Sequence, residues 1–583
     1  MLVICVSRPS ADGCAILLRN GLDDADNLII RFGDFDEKTM TPGRNAANQE
    51  YALAERVHHA RSRTTDNLGV HRLTWVITSA FFLLAAYLLS NHEMWRDEIQ
   101  AWLLARDSTS VPNLFANLKY EGHPALWYLL LMPLTRVSHS PTAMQALHLL
   151  IATSTIYLFT RYSPFSVVQK ILFSFGYFPF YEYSIISRNY ALGVLLIFVF
   201  CSLFERRYTN FFLIGLVLFL LCHTSVFALI IAIVVFFGLL LDFYFYQRTH
   251  KSFNRSDTYK VYVGFLIITL GIITAVLQLI PPSDSPIVGW DFSFDIRSFR
   301  ASVLTELTAA YLPIPYFQLH FWDTLTSHTW NIYAWQASAY LNRLALLFVC
   351  SYLAFSMMGF VRKPFVFFLF AGCTFGLLTF FYVKYYGGIR HAGFLFIAFI
   401  MSAWLYRCRE QTTWSISSGS SLKKWETLFG HSITLILLLH IGASFVAASF
   451  DYRYPFSMAK FAAEYISQRG LNNRPIVGYP DYATSAIVGY LGISQAYYPQ
   501  GDRFGSYFRF DKQRRIAITE QEVVDKARQL EAHELTEGKS QGVLIILTKP
   551  LRDDLVQASK LQKIGEFTGA IVPDENFYIY LFE

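Results

Sequence analysis

The sequence predicts an α-helical polytopic membrane protein with about eleven transmembrane helices and a small α/β domain at its C-terminal end. Three observations predict it. Of 583 residues, 54% are hydrophobic and only 16% charged, Phe alone numbers 53, and mean hydropathy is +0.33. No soluble core hides that much apolar surface, and a disordered chain has the opposite bias. The apolar residues are gathered into separate runs of about 20, the length of a membrane-crossing helix, whereas barrel strands are shorter and alternate in polarity. Lys and Arg collect in alternate loops, the asymmetry that orients helices in a membrane.

Taken in order, residues 1–70 read as a polar, poorly ordered cytoplasmic extension to which no function is assigned. The short apolar piece from Leu2 to Val6 has no basic region before it and is not a signal peptide. Clear spans follow at 73–90, 143–160, 165–183, 188–204, 261–280, 341–361, 364–382, 391–406 and 431–450. The run 210–246 is 37 residues long, too long for one crossing, and Cys222-His223-Thr224-Ser225 interrupts it, so it is expected to be two short helices hinged there. The run 124–137 covers only ~21 Å of a ~30 Å hydrocarbon core at ~1.5 Å per residue. If it lies in the interface instead of crossing, then Arg161, Arg206, Arg207, Arg248, Lys251, Arg255, Lys260, Arg362, Lys363, Arg407, Arg409, Lys423 and Lys424 all fall on the cytoplasmic side. The external segments are then 91–142, the turns near 184–187 and 223, the loop 281–340, the turn 383–390, and everything after 450.

The tail, 451–583, carries 16 Lys and Arg against 17 Asp and Glu, the balance of a soluble domain. A strand at 475–479, a helix at 481–491, an amphipathic helix at 519–535 and a buried strand at 542–548 predict a small α/β unit, with Asp574 and Glu575 between two apolar runs as in a closing hairpin. Tyr497, Tyr498, Tyr507 and Phe508 fit either its core or a binding face. Of the seven cysteines none lies after Cys408, so this domain folds without disulfides.

Chemistry-bearing residues gather on the external face. The first loop reads Glu93-Met94-Trp95-Arg96-Asp97-Glu98 and later Tyr120-Glu121-Gly122-His123-Pro124. Carboxylates at the mouth of a helix bundle suit a transferase that deprotonates a hydroxyl at the membrane surface, although Asp97 and Glu98 equally suit the solvated start of a helix. Ser187-Arg188-Asn189-Tyr190 and Lys384-Tyr385-Tyr386-Gly387-Gly388-Ile389-Arg390-His391 place cations at the same boundary. Such arginines either snorkel, with Glu182 as a structural partner of Arg188, or grip a phosphate with paired hydrogen bonds. His223 reads as a helix-end histidine.

In order, side and spacing these motifs resemble those of the GT-C glycosyltransferases, nearest to family 39, the protein O-mannosyltransferase and lipid A aminoarabinose transferase group. The resemblance covers about 90 to 400. It implies the GT-C fold, a polyprenyl-phosphate-linked sugar as donor, and Asp97 as catalytic base with Glu98 beside it. It also implies Arg188 and Arg390 as grips on the donor phosphate. Lys384 is a further candidate grip by its place on the same face, and Glu121, His123, Tyr190 and His391 are candidates to position substrate or loop. Glu121 and His123 are weak candidates for a divalent metal ion, and no other cofactor is expected. Two positions depart from the family: His123-Pro124-Ala125 lacks its second proline, and Gly193 stands where the mannosyltransferases carry an acid, whose role is either missing or supplied elsewhere, with Glu182 as the candidate.

The expected activity is transfer of one sugar, with inversion, to an extracytoplasmic lipid, glycan or protein acceptor. The alternative is a transporter or flippase of lipid-linked saccharides, which should carry mid-membrane charges and paired halves. The expected localisation is the plasma (inner) membrane, multi-pass, with the tail extracytoplasmic and no nucleic-acid partner. The loop 281–340, with Trp290, Trp322, Trp330 and Trp335, is the expected acceptor-side lid.

Overall fold

The computed structural model describes residues 3–6, 15–19, 28–31, 69–249, 255–286, 289–322, 334–408, 421–536 and 542–582. Residues 1–72 form a compact unit of their own. In it the strands Val3–Val6, Ala15–Arg19 and Leu28–Arg31 pair as an antiparallel meander, which sequence reading did not foresee.

The rest of the chain, 73–583, is one unit. Among the described residues, eight helices are long and apolar enough to cross a membrane: Gly69–Asn91, Thr142–Tyr162, Val226–Arg248, Thr258–Leu279, Ala339–Phe360, Pro364–Val383, Ile389–Arg407 and Lys424–Arg453. Three further expected crossings are shorter or broken. The run 165–183 divides into the helix Val167–Ser174 and a wide, π-helical turn Tyr177–Glu182. The run 188–204 yields a helix only from Tyr190 to Leu203, because Ser187, Arg188 and Asn189 are drawn into side-chain contacts described below. The run 210–246 does break at the foreseen hinge, into Phe211–Cys222 and a helix beginning at Val226. Leu126–Val137 is a 12-residue helix, about 18 Å long and short of a ~30 Å core.

The helix Ile389–Arg407 is buried at every position from Ile389 to Tyr406. A helix that is apolar on every side belongs at the centre of a bundle, and this one brings Arg390 and His391 to one end of the bundle.

The tail carries a six-stranded mixed sheet in the order Arg503–Gly505, Ala496–Tyr498, Ile476–Tyr479, Val543–Leu547, Phe577–Phe582, Gln562–Phe567. The expected helix at 481–491 is present with those bounds, the long helix runs Glu520–Thr536, and the closing hairpin pairs Gln562–Phe567 with Phe577–Phe582. The helix Ala459–Gln468, the two three-residue strands Ala496–Tyr498 and Arg503–Gly505 and the helix Asp553–Ala558 were not foreseen. Tyr498 and Phe508 are core residues.

The expected border at 450 is not a gap in packing. The tail helix Asp481–Leu491 lies on the helix Arg96–Asp107 so closely that a Cβ on Gly489 would stand 2.2 Å from Ile99 Cγ2. Sheet and bundle therefore share one continuous apolar core.

Candidate active site

The helix Arg96–Asp107 begins at Trp95, whose N–H donates to the carboxylate of Glu98 at 3.2 Å. An acid three residues into a helix commonly satisfies the first free amide in this way. Glu98 is fully buried, and its other oxygen accepts the Ser187 N–H at 2.6 Å. His92 links it onward: Nε2 lies 3.2 Å from Glu98 and Nδ1 2.9 Å from Asp451. Burial opposes a charge on His92, but Asp451 and Glu98 outweigh it and hold the imidazole well above its ordinary range, so it is an imidazolium. Glu98 is thus a brace among three chain segments. It does not share an open face with Asp97, because successive helix residues point about 100° apart.

Asp97 keeps 23% of its side chain exposed, with Oδ2 2.9 Å from Arg390 Nη2 and 3.9 Å from Arg188 Nη2. Its own carbonyl accepts a second bond from Arg188 Nη1. Burial pushes its pKa up, yet Arg390, then Arg188 and Arg96, overcome that and hold the carboxyl below its usual range. Arg188 Nη2 also faces His123 Nε2 at 3.2 Å. A guanidinium only donates, so the His123 proton sits on Nδ1. Burial, with the two arginines, drives that imidazole down to about 3 and keeps it neutral. His391 Nε2 accepts the Tyr190 hydroxyl at 2.9 Å and faces Arg390 Nε at 3.4 Å. Arg390 itself lies over the Trp95 ring at 5.3 Å. The structure therefore brings together Asp97, His123, Arg188, Tyr190, Arg390 and His391. Buried Arg188 Nε, Arg390 Nη1 and His123 Nδ1 have no hydrogen-bond partner among the described residues.

Other segments hold this cluster in place. The Leu126 N–H donates to the His223 carbonyl at 3.1 Å and Asn189 Nδ2 to the Thr224 carbonyl at 2.6 Å, so the hinge fixes two site loops. The His223 ring faces the Phe219 carbonyl at 2.8 Å and Thr274 Oγ1 at 3.0 Å, the helix-end role expected of it. Gly387 has φ +87°, which a side chain rarely adopts, and Glu306 fills the space where its Cβ would be, 2.7 Å away. Burial pushes Glu306 up to about 8, so it is neutral at pH 7. Sequence reasoning missed Glu306, whose signal is a lone acid in the apolar helix Thr305–Tyr311.

Several expected placements are corrected. Glu182 does not pair with Arg188; its Oε2 accepts from Trp322 Nε1 at 3.1 Å and from the Tyr177 hydroxyl at 3.2 Å. Lys384 does not join the cluster; its ammonium donates to the Gly289 carbonyl at 2.8 Å and lies 5.7 Å from the Trp290 ring centre. Trp322 is not part of a lid. It is buried edge-on to Trp95 at 4.9 Å, whereas Trp290 is exposed. Trp330 and the side chain of Trp335 lie outside the described residues. At Gly193 a Cβ would meet Thr224 Oγ1 at 3.1 Å and Phe394 at 3.4 Å, so any side chain there would crowd both neighbours.

Glu121 is part-buried, and its Oε1 accepts the Gln100 amide at 2.8 Å while burial lifts its pKa to about 7. Glu121 and His123 do not fit a divalent cation, since the Nε2 lone pair of His123 faces the Arg188 guanidinium. Among the described residues no three His, Cys, Asp or Glu side chains converge as metal ligands do. Compared with protein families, curated proteins and solved structures, the chain matches none.

Proposed function

We propose that this chain is a membrane glycosyltransferase of the GT-C class, moving one sugar from a polyprenyl phosphate to an acceptor hydroxyl outside the cell membrane. The observation that carries the reading is Asp97, part-exposed between Arg390 at 2.9 Å and Arg188 at 3.9 Å, beside guanidinium N–H groups, Arg188 Nε and Arg390 Nη1, that have no hydrogen-bond partner among the described residues. Unpaired buried donors are costly, and a phosphate oxygen is their natural acceptor.

The acceptor oxygen attacks the anomeric carbon and its proton passes to Asp97. The carbon–oxygen bond to phosphate breaks, and its electron pair leaves with the polyprenyl phosphate. That leaving group departs as an anion, so Arg188 and Arg390 serve in place of a general acid. One displacement inverts the anomeric centre. His391, itself fixed by the Tyr190 hydroxyl, holds Arg390, and His123 holds Arg188. Glu98 braces the loop. No step is routed through a metal ion.

In this reading the chain crosses the plasma membrane about eleven times, with Leu126–Val137 in the outer interface and the tail extracytoplasmic. Incubating the purified protein with a panel of polyprenyl-phosphate sugars and following donor turnover by mass spectrometry tests it. Release of polyprenyl phosphate from at least one donor is expected, and no turnover of any donor in the presence of mixed envelope acceptors overturns it.

A further inference from the structure

The stretch 503–515 is strongly basic: Arg503, Arg509, Lys512, Arg514 and Arg515 stand against the single acid Asp511. Two of these cations have full partners. Arg514 binds both oxygens of Asp481 at 2.7 and 2.8 Å, and Arg515 meets Glu522 at 2.8 Å. Arg503 and Arg509 instead share one oxygen, Asp511 Oδ2, at 3.1 and 3.8 Å. The second distance is too long for a hydrogen bond. Buried Arg509 Nε and Arg503 Nη2 consequently have no partner among the described residues.

The location of the pair gives it a use. Ser506 donates to Asp107, at the end of the helix that carries Asp97. Gln100 Nε2, on that same helix, bridges the Phe508 carbonyl at 2.9 Å and Glu121 at 2.8 Å. The Arg509 guanidinium lies 4.2 Å from the Tyr120 ring centre. Arg509 therefore sits against the Tyr120-Glu121-Gly122-His123 loop, whose His123 faces Arg188, on the side where the tail covers the first external loop.

We infer that Arg503 and Arg509 form a second anion-binding site, distinct from Arg188 and Arg390, which takes a phosphate or carboxylate group of the acceptor. Two guanidinium groups on one carboxylate oxygen leave charge and donors for a group with several oxygens, and a neutral glycan would need neither. The inference rests on the transferase reading only in assigning the anion to the acceptor.

The test titrates full-length protein in zwitterionic nanodiscs with inorganic phosphate, followed by calorimetry. Two classes of site are expected. Arg509→Gln, and the double variant with Arg503→Gln, should weaken one class by about tenfold or more while sparing the class that Arg188→Ala removes. Arg509→Lys should fall between, with an unchanged melting temperature, which separates lost charge from lost fold. If all phosphate binding depends on Arg188 and none on Arg509, the second site is overturned and the donor grip stands. If binding depends on Arg509 and not on Arg188, the donor grip fails and the second site stands. Binding unchanged in every variant overturns both. Loss of the Arg509-dependent class when the nanodiscs contain anionic lipid assigns the group to a lipid headgroup, and its persistence assigns it to a soluble acceptor.

Discussion

Arg96 holds Glu575 twice: its backbone N–H donates to Oε1 at 3.1 Å and its guanidinium approaches the same atom at 3.3 Å. Asp574 takes the guanidinium at 2.6 Å, and Ser457 donates to the second Glu575 oxygen at 2.6 Å. Both Arg96 and Glu575 are buried. The turn near the end of the chain thus grips the residue immediately before Asp97, so the tail helps to set the position of the candidate base. This contact also explains why bundle and tail form one unit.

Breaking that grip should unfold more than the tail. Glu575→Ala leaves the buried Arg96 guanidinium with only Asp574 and its backbone N–H without an acceptor, and losing a buried hydrogen bond to a charged group costs about 1.5 to 3 kcal/mol. The expected outcome is one lowered thermal transition for the whole 73–583 unit, read by intrinsic fluorescence. A tail that melts separately, with the bundle unchanged, would show that the two fold independently.

The His92 imidazolium predicts a pH dependence with a definite sign. Its folded pKa is raised above the unfolded value of about 6.5. Its contribution is therefore complete below about 6.5 and is lost as pH rises through the folded pKa. Melting temperatures measured from pH 6 to pH 10 should fall in the wild type, and His92→Gln should remove part of that slope. An identical slope in the variant would assign the pH dependence to other groups.

Donor affinity should depend on Arg188 and Arg390 in a graded way. Replacement of either by Ala is expected to weaken binding of a polyprenyl-phosphate sugar by about tenfold to a hundredfold, the worth of a charge-assisted hydrogen bond or two. Lys should restore only part, because a point charge cannot reproduce the planar fork. Equilibrium binding to nanodisc-embedded protein measures this, and unchanged affinity in both Ala variants would make these residues boundary anchors.

What could be read in the sequence follows the range of the interactions. The helix Asp481–Leu491 was legible because Pro480 precedes it and Gly492, at φ +70°, ends it. These signals are local. The strands Ala496–Tyr498 and Arg503–Gly505 are three residues each, too short for alternation to register. The cluster of Asp97, Arg188 and Arg390 was foreseen as one face only through order and side. Glu98 was set beside Asp97 as a catalytic acid on local order alone, since its contact with the Ser187 N–H, 89 residues away, and the His92 link onward to Asp451 leave no local signal. The wrong partner for Arg188, Glu182, was chosen for nearness along the chain, whereas its true neighbours are 65 and 91 residues away.

The same geometry separates the two adjacent carboxylates. Asp97 is ionised at neutral pH, held below its usual range by Arg390 and Arg188, and in the absence of donor it is their counter-ion. A donor phosphate would take over that duty, releasing Asp97 to accept a proton and raising its basicity. The acidic limb of kcat should accordingly lie at higher pH than that of kcat/KM, since the first reports the bound state and the second the free protein. Asp97→Asn keeps the shape but removes the base, so transfer should fall by about 10² to 10⁴ with folding intact and donor binding retained. Glu98→Gln should act in the opposite manner. It weakens the hold on the His92 imidazolium and on the Ser187 N–H, lowering the melting temperature while reducing kcat less than Asp97→Asn does. Measuring transfer, donor binding and melting on both variants decides the assignment: full activity in Asp97→Asn removes it as the base, and loss of transfer at unchanged stability in Glu98→Gln moves the role one residue along.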